Sequence, residues 1–232
     1  MRPLRACLLS GGESRRMGRD KALLPHPKGG TWLERTLLLL GQLGAPVTLL
    51  SRHPAHLALA QRLGPLLPPI SPLIEPPPCQ GPLLALHRLM RQHPEERLLL
   101  CPVDMPELTL AALRSLLAAA DHPAAAGSPT QLHLAHDGER LQPLLGVYPS
   151  SAPLCSHLAA AVQRGERRLQ GWLATQTIHT VFLDPRAIRN VNRPEADHPT
   201  VSPANDPCSS TLLSQRPSPP SRSAPPTHGW EP

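Results

Sequence analysis

The most informative segment of the sequence lies near the N-terminus and reads Arg5-Ala6-Cys7-Leu8-Leu9-Ser10-Gly11-Gly12-Glu13-Ser14-Arg15-Arg16-Met17-Gly18-Arg19-Asp20-Lys21-Ala22-Leu23-Leu24. Its first residues form a short, mostly apolar run, which predicts a buried strand. The segment rich in glycine and arginine that follows predicts a loop at the carboxyl end of this strand. Ligands bind at the carboxyl ends of parallel strands in open α/β sheets. We therefore expect the functional site at this loop.

The sequence up to residue 196 alternates short apolar runs with helical patterns, which predicts an α/β domain with a parallel sheet. Beyond the first strand, Arg5–Leu9, strands are predicted at Pro46–Ser51, Pro72–Glu75, Arg97–Pro102, Gln142–Tyr148 and His179–Phe182. Helices are predicted at Thr31–Gln42, Ala55–Leu63, Pro82–Gln92, Leu108–Ala120, Cys155–Arg164 and Arg168–Thr175.

Residues 197–232 differ in composition from the rest of the chain. They contain nine prolines and seven serines, and few apolar side chains. Such a segment cannot bury enough surface to offset the entropy lost on ordering. We expect a folded domain over residues 1–196 and a disordered tail over residues 197–232, for which a polyproline docking role is the alternative.

Composition limits the function classes. The 232 residues carry a net charge of +6, which suits nucleic acid or an anionic small molecule. Only 2% of the residues are aromatic, which disfavours stacking on bases, so we expect no nucleic-acid partner. No apolar run approaches the ~18 residues of a membrane span, and no membrane partner is expected. The five scattered cysteines predict neither a disulfide framework nor a zinc site and fit a cytoplasmic protein.

The glycine loop has the chemistry of a phosphate-binding site. Gly11 and Gly12 allow the backbone to approach a ligand closely, and successive N–H groups in such a loop attract anions. Arg15, Arg16 and Lys21 add three cations. The spacing fits neither G-x-x-x-x-G-K-[ST] nor G-x-G-x-x-G, so the two common phosphate loops are excluded. A solvated basic loop is the alternative.

Asp104 is the candidate metal ligand. It directly follows the predicted strand Arg97–Pro102, at the edge of the sheet where the glycine loop is expected. Mg²⁺ is commonly held by one or two carboxylates together with substrate phosphates and water. The alternative is a helix N-cap, a common role for aspartate.

The loop sequence from Leu8 to Leu24 resembles the signature of nucleotidyltransferases, and most closely that of the molybdenum cofactor guanylyltransferase family. Four later segments are similar to segments of that family: Gln80–Leu86, Cys101–Pro106, Gly165–Arg168 and Asn190–Glu195. The resemblance runs in order from about residue 4 to residue 196. It implies a Rossmann-like three-layer α/β/α sandwich of the nucleotide-diphospho-sugar-transferase type, with a GTP-binding N-terminal half and an acceptor-binding C-terminal half.

The resemblance also implies a reaction and a set of site residues. The family transfers GMP from GTP to molybdopterin cofactor, releases pyrophosphate and uses Mg²⁺. It implies Lys21 and Asp104 as catalytic residues, Asp104 as metal ligand, and Asn190 and Asn192 as acceptor-binding residues. The residues expected to bind GTP are Leu9, Ser10, Gly11, Gly12, Arg15, Arg16, Lys21 and Asp104. Transient contact with cofactor-synthesis proteins or a molybdoenzyme is a further expectation.

Two departures from the family pattern concern the base and ribose contacts. Leu49 stands where the family carries an asparagine, and Glu75 is the nearest candidate for an aspartate expected after the third strand.

Alternative functions are a cytidylyltransferase acting on the same acceptor and a nucleotide-binding regulatory protein without catalysis. A serine hydrolase is disfavoured because no histidine and aspartate partners of Ser10 or Ser14 are evident, and the histidines are predicted to be scattered on the surface.

Overall fold

A computed structural model of the protein describes residues 2–11, 20–76, 81–122 and 130–191. Its strands are β1 (Leu4–Leu9), β2 (Val47–Ser51), β3 (Ile70–Ile74), β4 (Arg97–Pro102), β5 (Leu132–His136), β6 (Leu141–Pro149) and β7 (Ile178–Phe182). Its helices are α1 (Trp32–Gly41), α2 (Pro54–Leu63), α3 (Pro82–Gln92), α4 (Leu110–Asp121), α5 (Ala152–Gln163) and α6 (Leu169–Leu173). None of the helices in the described ranges is long and apolar enough to cross a membrane.

The strands form one sheet in the order β3-β2-β1-β4-β6-β5-β7. β6 runs antiparallel to both of its neighbours, whereas the other pairs are parallel. The prediction of a mostly parallel sheet is therefore confirmed. Leu9 pairs with Leu50 on one side and with Pro102 on the other, so β1, β2 and β4 end together at one edge.

Helices cover both faces of the sheet. The side chains of β4 alternate between two apolar cores, with Leu99 and Cys101 on one face and Leu98 and Leu100 on the other. Helices α1, α2 and α4 contribute to the first core, and helices α3, α5 and α6 contribute to the second. A continuous apolar run is expected for a strand that is buried on both faces. The three-layer α/β/α sandwich is confirmed.

The predicted elements are present, and the pattern missed one strand. β4 and α3 have the predicted bounds, and the other elements differ by a few residues at their ends. β5 was not predicted because His133 and His136 interrupt its apolar pattern. His133 nevertheless is buried. The predicted tail, residues 197–232, lies outside the described residues.

Candidate active site

A cleft of about 280 Å³ lies at the carboxyl ends of β1, β2 and β4. Its lining brings together six of the residues considered from the sequence, namely Leu9, Ser10, Gly11, Lys21, Glu75 and Asp104. The start of α3 also lines it: Gly81 adopts a φ of 89°, a conformation suited to glycine, and Pro82 occupies the first helical turn. The site is therefore at the predicted edge of the sheet.

Lys21 and Asp104 face each other in this cleft. Lys21 begins a short 3₁₀ turn, Lys21–Leu23, and Asp104 lies two residues after the end of β4. The distance between Lys21 Nζ and Asp104 Oδ2 is 4.0 Å. Burial raises the pKa of Asp104, and the ammonium group of Lys21 opposes this rise. A nearby cation favours the ionised form of a buried carboxyl group.

The backbone of the glycine loop is fixed where it leaves β1. Ser10 N–H donates to Leu50 O at 3.0 Å, and Val103 N–H donates to Leu9 O at 3.2 Å. These bonds continue the pairing of β1 with β2 and β4 past the last residue of the strand. The first residues of the loop are therefore placed by the sheet itself.

Glu75 is the acidic residue that the sequence left in question. It follows β3, its N–H donates to Ser51 O, and only 3% of its surface is exposed. Its carboxylate lies against Gly11, where a Cβ would meet Glu75 Oε2 at 2.2 Å. The structure therefore places Glu75 in the cleft despite its displacement from the family pattern.

Leu49 supplies no polar group to the cleft. It is fully buried and packs in the core on the α1 side of the sheet. Its neighbour Leu50 lines the cleft instead. Leu49 therefore cannot make the polar contact that an asparagine could make at this position.

Sequence reasoning missed His56, which lies beside the cleft. The distance from His56 Nε2 to Asp20 Oδ2 is 2.8 Å. His56 Nδ1 lies 2.8 Å from Ser51 Oγ and 3.1 Å from Ser10 Oγ. Ser10 thus does have a histidine and an aspartate nearby, contrary to expectation, although Ser51 lies nearer to the imidazole.

The prediction that the histidines are scattered on the surface is wrong for four of those that the structure describes. The buried histidines are His26, His56, His93 and His133. His26, His56 and His93 have hydrogen-bonding partners, as buried polar groups generally do. The ring of His133 lies against the ring of His179. No sequence motif marks them, because their partners come from other elements of the fold.

The remaining predicted residues fall into two groups. Asn190 is exposed, and its Nδ2 donates to Gln142 Oε1 at 2.8 Å. It adjoins the site through the next residue, since Val191 N–H donates to Asp104 O at 2.9 Å. The other group lies outside the described residues and comprises Gly12, Arg15, Arg16 and Asn192.

The cysteines in the described part of the chain are thiols. Cys7, Cys101 and Cys155 are free, and the first two are buried. Burial raises the pKa of Cys7 and of Cys101 far above the ordinary value. A buried thiol that stays protonated is a poor nucleophile.

A cleft at the carboxyl edge of a parallel sheet is where ligands bind in open α/β folds, and this cleft presents a lysine facing a carboxylate. Residues 6–181 match the model of the MobA-like NTP transferase domain. The chain belongs to this family and, within it, groups with the molybdenum cofactor guanylyltransferases.

Curated relatives support this assignment over most of the chain. A probable molybdenum cofactor guanylyltransferase of Rhodopirellula baltica is 38% identical over 202 residues, which cover 83% of this chain and 89% of the relative. A protein of the same name from Mycobacterium tuberculosis is 36% identical over 206 residues, covering 87% of this chain and 94% of the relative.

Solved structures confirm the fold. Molybdopterin-guanine dinucleotide biosynthesis protein A from Archaeoglobus fulgidus superposes with a TM-score of 0.59 at 16% identity, covering 82% of this chain and 93% of that chain. A 4-diphosphocytidyl-2C-methyl-D-erythritol synthase from Anaerococcus prevotii gives a TM-score of 0.65 at 9% identity, covering 84% and 92%. At these identities the likeness concerns the fold alone.

Proposed function

We propose that the protein transfers GMP from GTP to molybdopterin cofactor, which yields the guanine dinucleotide form and pyrophosphate. The observation that carries the proposal is the Lys21–Asp104 pair in the cleft of a chain whose relatives are named molybdenum cofactor guanylyltransferases. A protein that had lost catalysis would have no need to retain both charges. This argues against a regulatory role.

The reaction is a substitution at the α-phosphorus of GTP. An oxygen of the acceptor phosphate forms a bond to this phosphorus, the bond to the bridging oxygen of the β-phosphate breaks, and pyrophosphate leaves with the electron pair. Catalysis of such a transfer depends on positioning and on neutralising phosphate charge. Lys21 would supply a cation beside the reacting phosphates. The loop from Gly11 onward would supply backbone N–H donors, since the N–H of Ser10 is already bonded to Leu50 O.

The site residues fit Mg²⁺. Asp104 offers one carboxylate in the cleft, and no cluster of three or more His, Cys, Asp or Glu side chains that could hold a metal occurs among the described residues. A single carboxylate is enough when substrate phosphates and water complete the shell, as is common for Mg²⁺. When bound by Asp104, Mg²⁺ would neutralise charge on the phosphate oxygens.

Further roles are assigned by position and charge. We assign Ser10, Gly11 and Glu75 to the guanine and ribose end, because Glu75 closes the cleft against Gly11. Arg15 and Arg16 would hold the leaving pyrophosphate. Asn190 and Asn192 would contact the acceptor, and Asn190 adjoins Val191, which is bonded to the backbone of Asp104.

The test is a steady-state assay of pyrophosphate release with molybdopterin cofactor, Mg²⁺ and each of the four ribonucleoside triphosphates. We expect GTP to give the highest kcat/KM, and Asp104→Asn serves as the inactive control. Preference for CTP would replace the proposal by a cytidylyltransferase. Binding of GTP without any turnover would leave a nucleotide-binding regulatory protein.

A further inference from the structure

His56 lies at the centre of a buried polar cluster, and nucleotidyl transfer as proposed gives it no chemical step. The residue belongs to α2, and its side chain is fully buried. It contacts residues from three separate parts of the chain: Ser10 after β1, Ser51 at the end of β2, and Asp20 before the Lys21–Leu23 turn. The imidazole therefore links Asp20, just before the turn that carries Lys21, to the carboxyl ends of β1 and β2.

The hydrogen-bonding pattern assigns the protons of the imidazole. An ionised carboxylate accepts only, so Nε2 of His56 donates to Asp20. Nδ1 then accepts from the hydroxyl of Ser51, the nearer of the two serines. Burial lowers the pKa of His56. The carboxylate of Asp20 opposes this decrease, and His53 adds to it. A lowered pKa favours the neutral imidazole, which is the form that this assignment of protons requires.

Asp20 links His56 to the turn that carries Lys21. Its second carboxylate oxygen, Oδ1, accepts from Ala22 N–H at 3.0 Å and so caps the turn. The backbone of the turn is held by the same residue, because Leu23 N–H donates to Asp20 O at 3.2 Å. One carboxylate is thus shared between the buried imidazole and the first turn of the Lys21–Leu23 segment.

We propose that His56 is a positioning residue: through Asp20 it anchors the Lys21–Leu23 turn to the carboxyl ends of β1 and β2 and thereby holds Lys21 beside Asp104. The inference rests on the proposed function for its catalytic consequence. A displacement of about 1 Å in a positioning group can cost on the order of a hundredfold in rate. Without the anchor, Asp20 and Lys21 lose the fixed relation to β1 that places the ammonium group in the cleft.

Two substitutions at His56 separate the contribution of Nε2 from that of Nδ1. His56→Gln places an amide N–H close to the position of Nε2 and keeps a donor for Asp20. His56→Asn reaches only the position of Nδ1 and leaves Asp20 without its donor. The matched control is His93→Asn. His93 is also buried and hydrogen-bonded, with its Nε2 2.9 Å from Thr48 Oγ1, but it precedes β4 and so lies away from the carboxyl ends of the strands.

The anchoring itself is tested by amide hydrogen exchange without nucleotide. We expect His56→Asn to speed exchange in residues 20–24 by about tenfold or more, since these amides would open locally. His56→Gln and His93→Asn should leave this segment unchanged. Unaltered exchange in a folded His56→Asn protein would overturn the proposal. Should that variant fail to fold, Asp20→Asn serves instead, because it keeps an oxygen to accept from Ala22 N–H and replaces the oxygen that accepts from His56 Nε2.

The consequence for the site is tested by a double-mutant cycle on the dissociation constant of GTP with Mg²⁺. His56→Asn should raise this constant by about tenfold in the unmodified background and by less than about twofold when Lys21 is already alanine. His56→Gln should stay close to the parent value. Equal losses with and without Lys21 would overturn the proposal, since His56 would then act on overall stability only.

The two measurements also separate this inference from the proposed function. Failure of the unmodified protein to bind GTP would count against the proposed function, while hydrogen exchange would still decide whether His56 anchors the turn. GTP binding with an additive cycle would leave the function standing and would remove the positioning role.

Discussion

Lys21 Nζ lies 4.0 Å from Asp104 Oδ2, which is too far for a direct hydrogen bond and near enough for strong attraction. The two residues come from loops after β1 and β4, which are neighbours in the sheet. A triphosphate presents negative charge to the lysine, and a phosphate-bound dication presents positive charge to the carboxylate. In a metal–nucleotide substrate, Lys21 could therefore bind the phosphates while Asp104 binds the metal ion.

Asp104→Asn should lower activity by orders of magnitude and recover partly at high Mg²⁺. The substitution keeps the shape of the side chain and removes the charge that would hold the metal. Titration of initial rates against Mg²⁺ measures the effect. An unchanged Mg²⁺ requirement in this variant would remove Asp104 as the metal ligand.

Lys21→Ala should lower kcat/KM by roughly ten- to a hundredfold, because a hydrogen bond to a charged group contributes about 1.5–3 kcal/mol. Extra Mg²⁺ should not restore the loss, since the lysine would contact the triphosphate directly. The same Mg²⁺ titration checks this. Identical metal dependence in Lys21→Ala and Asp104→Asn would contradict the separate roles.

Gly11→Ala should weaken the use of GTP more than that of CTP. A Cβ at this position would meet Glu75 Oε2 at 2.2 Å, so the carboxylate must move. A Cβ would also reduce the close approach of a purine that glycine allows, and the structure adds Glu75 as the group displaced. We expect Gly11→Ala to add little loss in a Glu75→Ala background when kcat/KM is compared. Fully additive losses would show that Glu75 is not involved.

Stability should fall as pH is lowered below about 6.5, the ordinary pKa of histidine. Burial lowers the pKa of His93, Arg5 adds to this effect, and Glu96 opposes it. The unfolded chain therefore takes up a proton at a higher pH than the folded protein, which favours unfolding in acid. His93→Gln should lessen the decline in Tm between about pH 7 and pH 5. Parallel Tm curves for the two proteins would speak against this contribution.

Removal of residues 197–232 should leave Tm and turnover nearly unchanged. The segment is rich in proline and serine and has few apolar side chains with which to pack on the domain. Thermal unfolding and the pyrophosphate assay on the truncated chain measure both properties. A large loss in either would show that the tail contributes to the fold or the site.

The sequence was sufficient for elements whose signal is local. β4 is a continuous apolar run, and α3 begins with a glycine followed by proline, so both have the predicted bounds. β5 was missed because its buried His133 counts as polar in a pattern. Its burial depends on β6 and β7, which pair with it from later in the chain.

The site shows the same division. Lys21 and Asp104 belong to short motifs at strand ends, so their meeting follows from adjacent parallel strands. His56 belongs to no motif, and its contact with Asp20 depends on how α2 packs after β2. Glu75 lies outside the family register, and only the pairing of β3 with β2 brings it to Gly11.

Transfer of GMP by this protein can be followed with GTP that carries ³²P at either the α or the γ position. With molybdopterin cofactor and Mg²⁺ present, we expect the α label to appear in the dinucleotide product and the γ label in pyrophosphate. At the same Mg²⁺ concentration, Asp104→Asn should reduce both labelled products by orders of magnitude. Release of the γ label as orthophosphate, or an α label that stays in free GMP or GDP, would contradict nucleotidyl transfer.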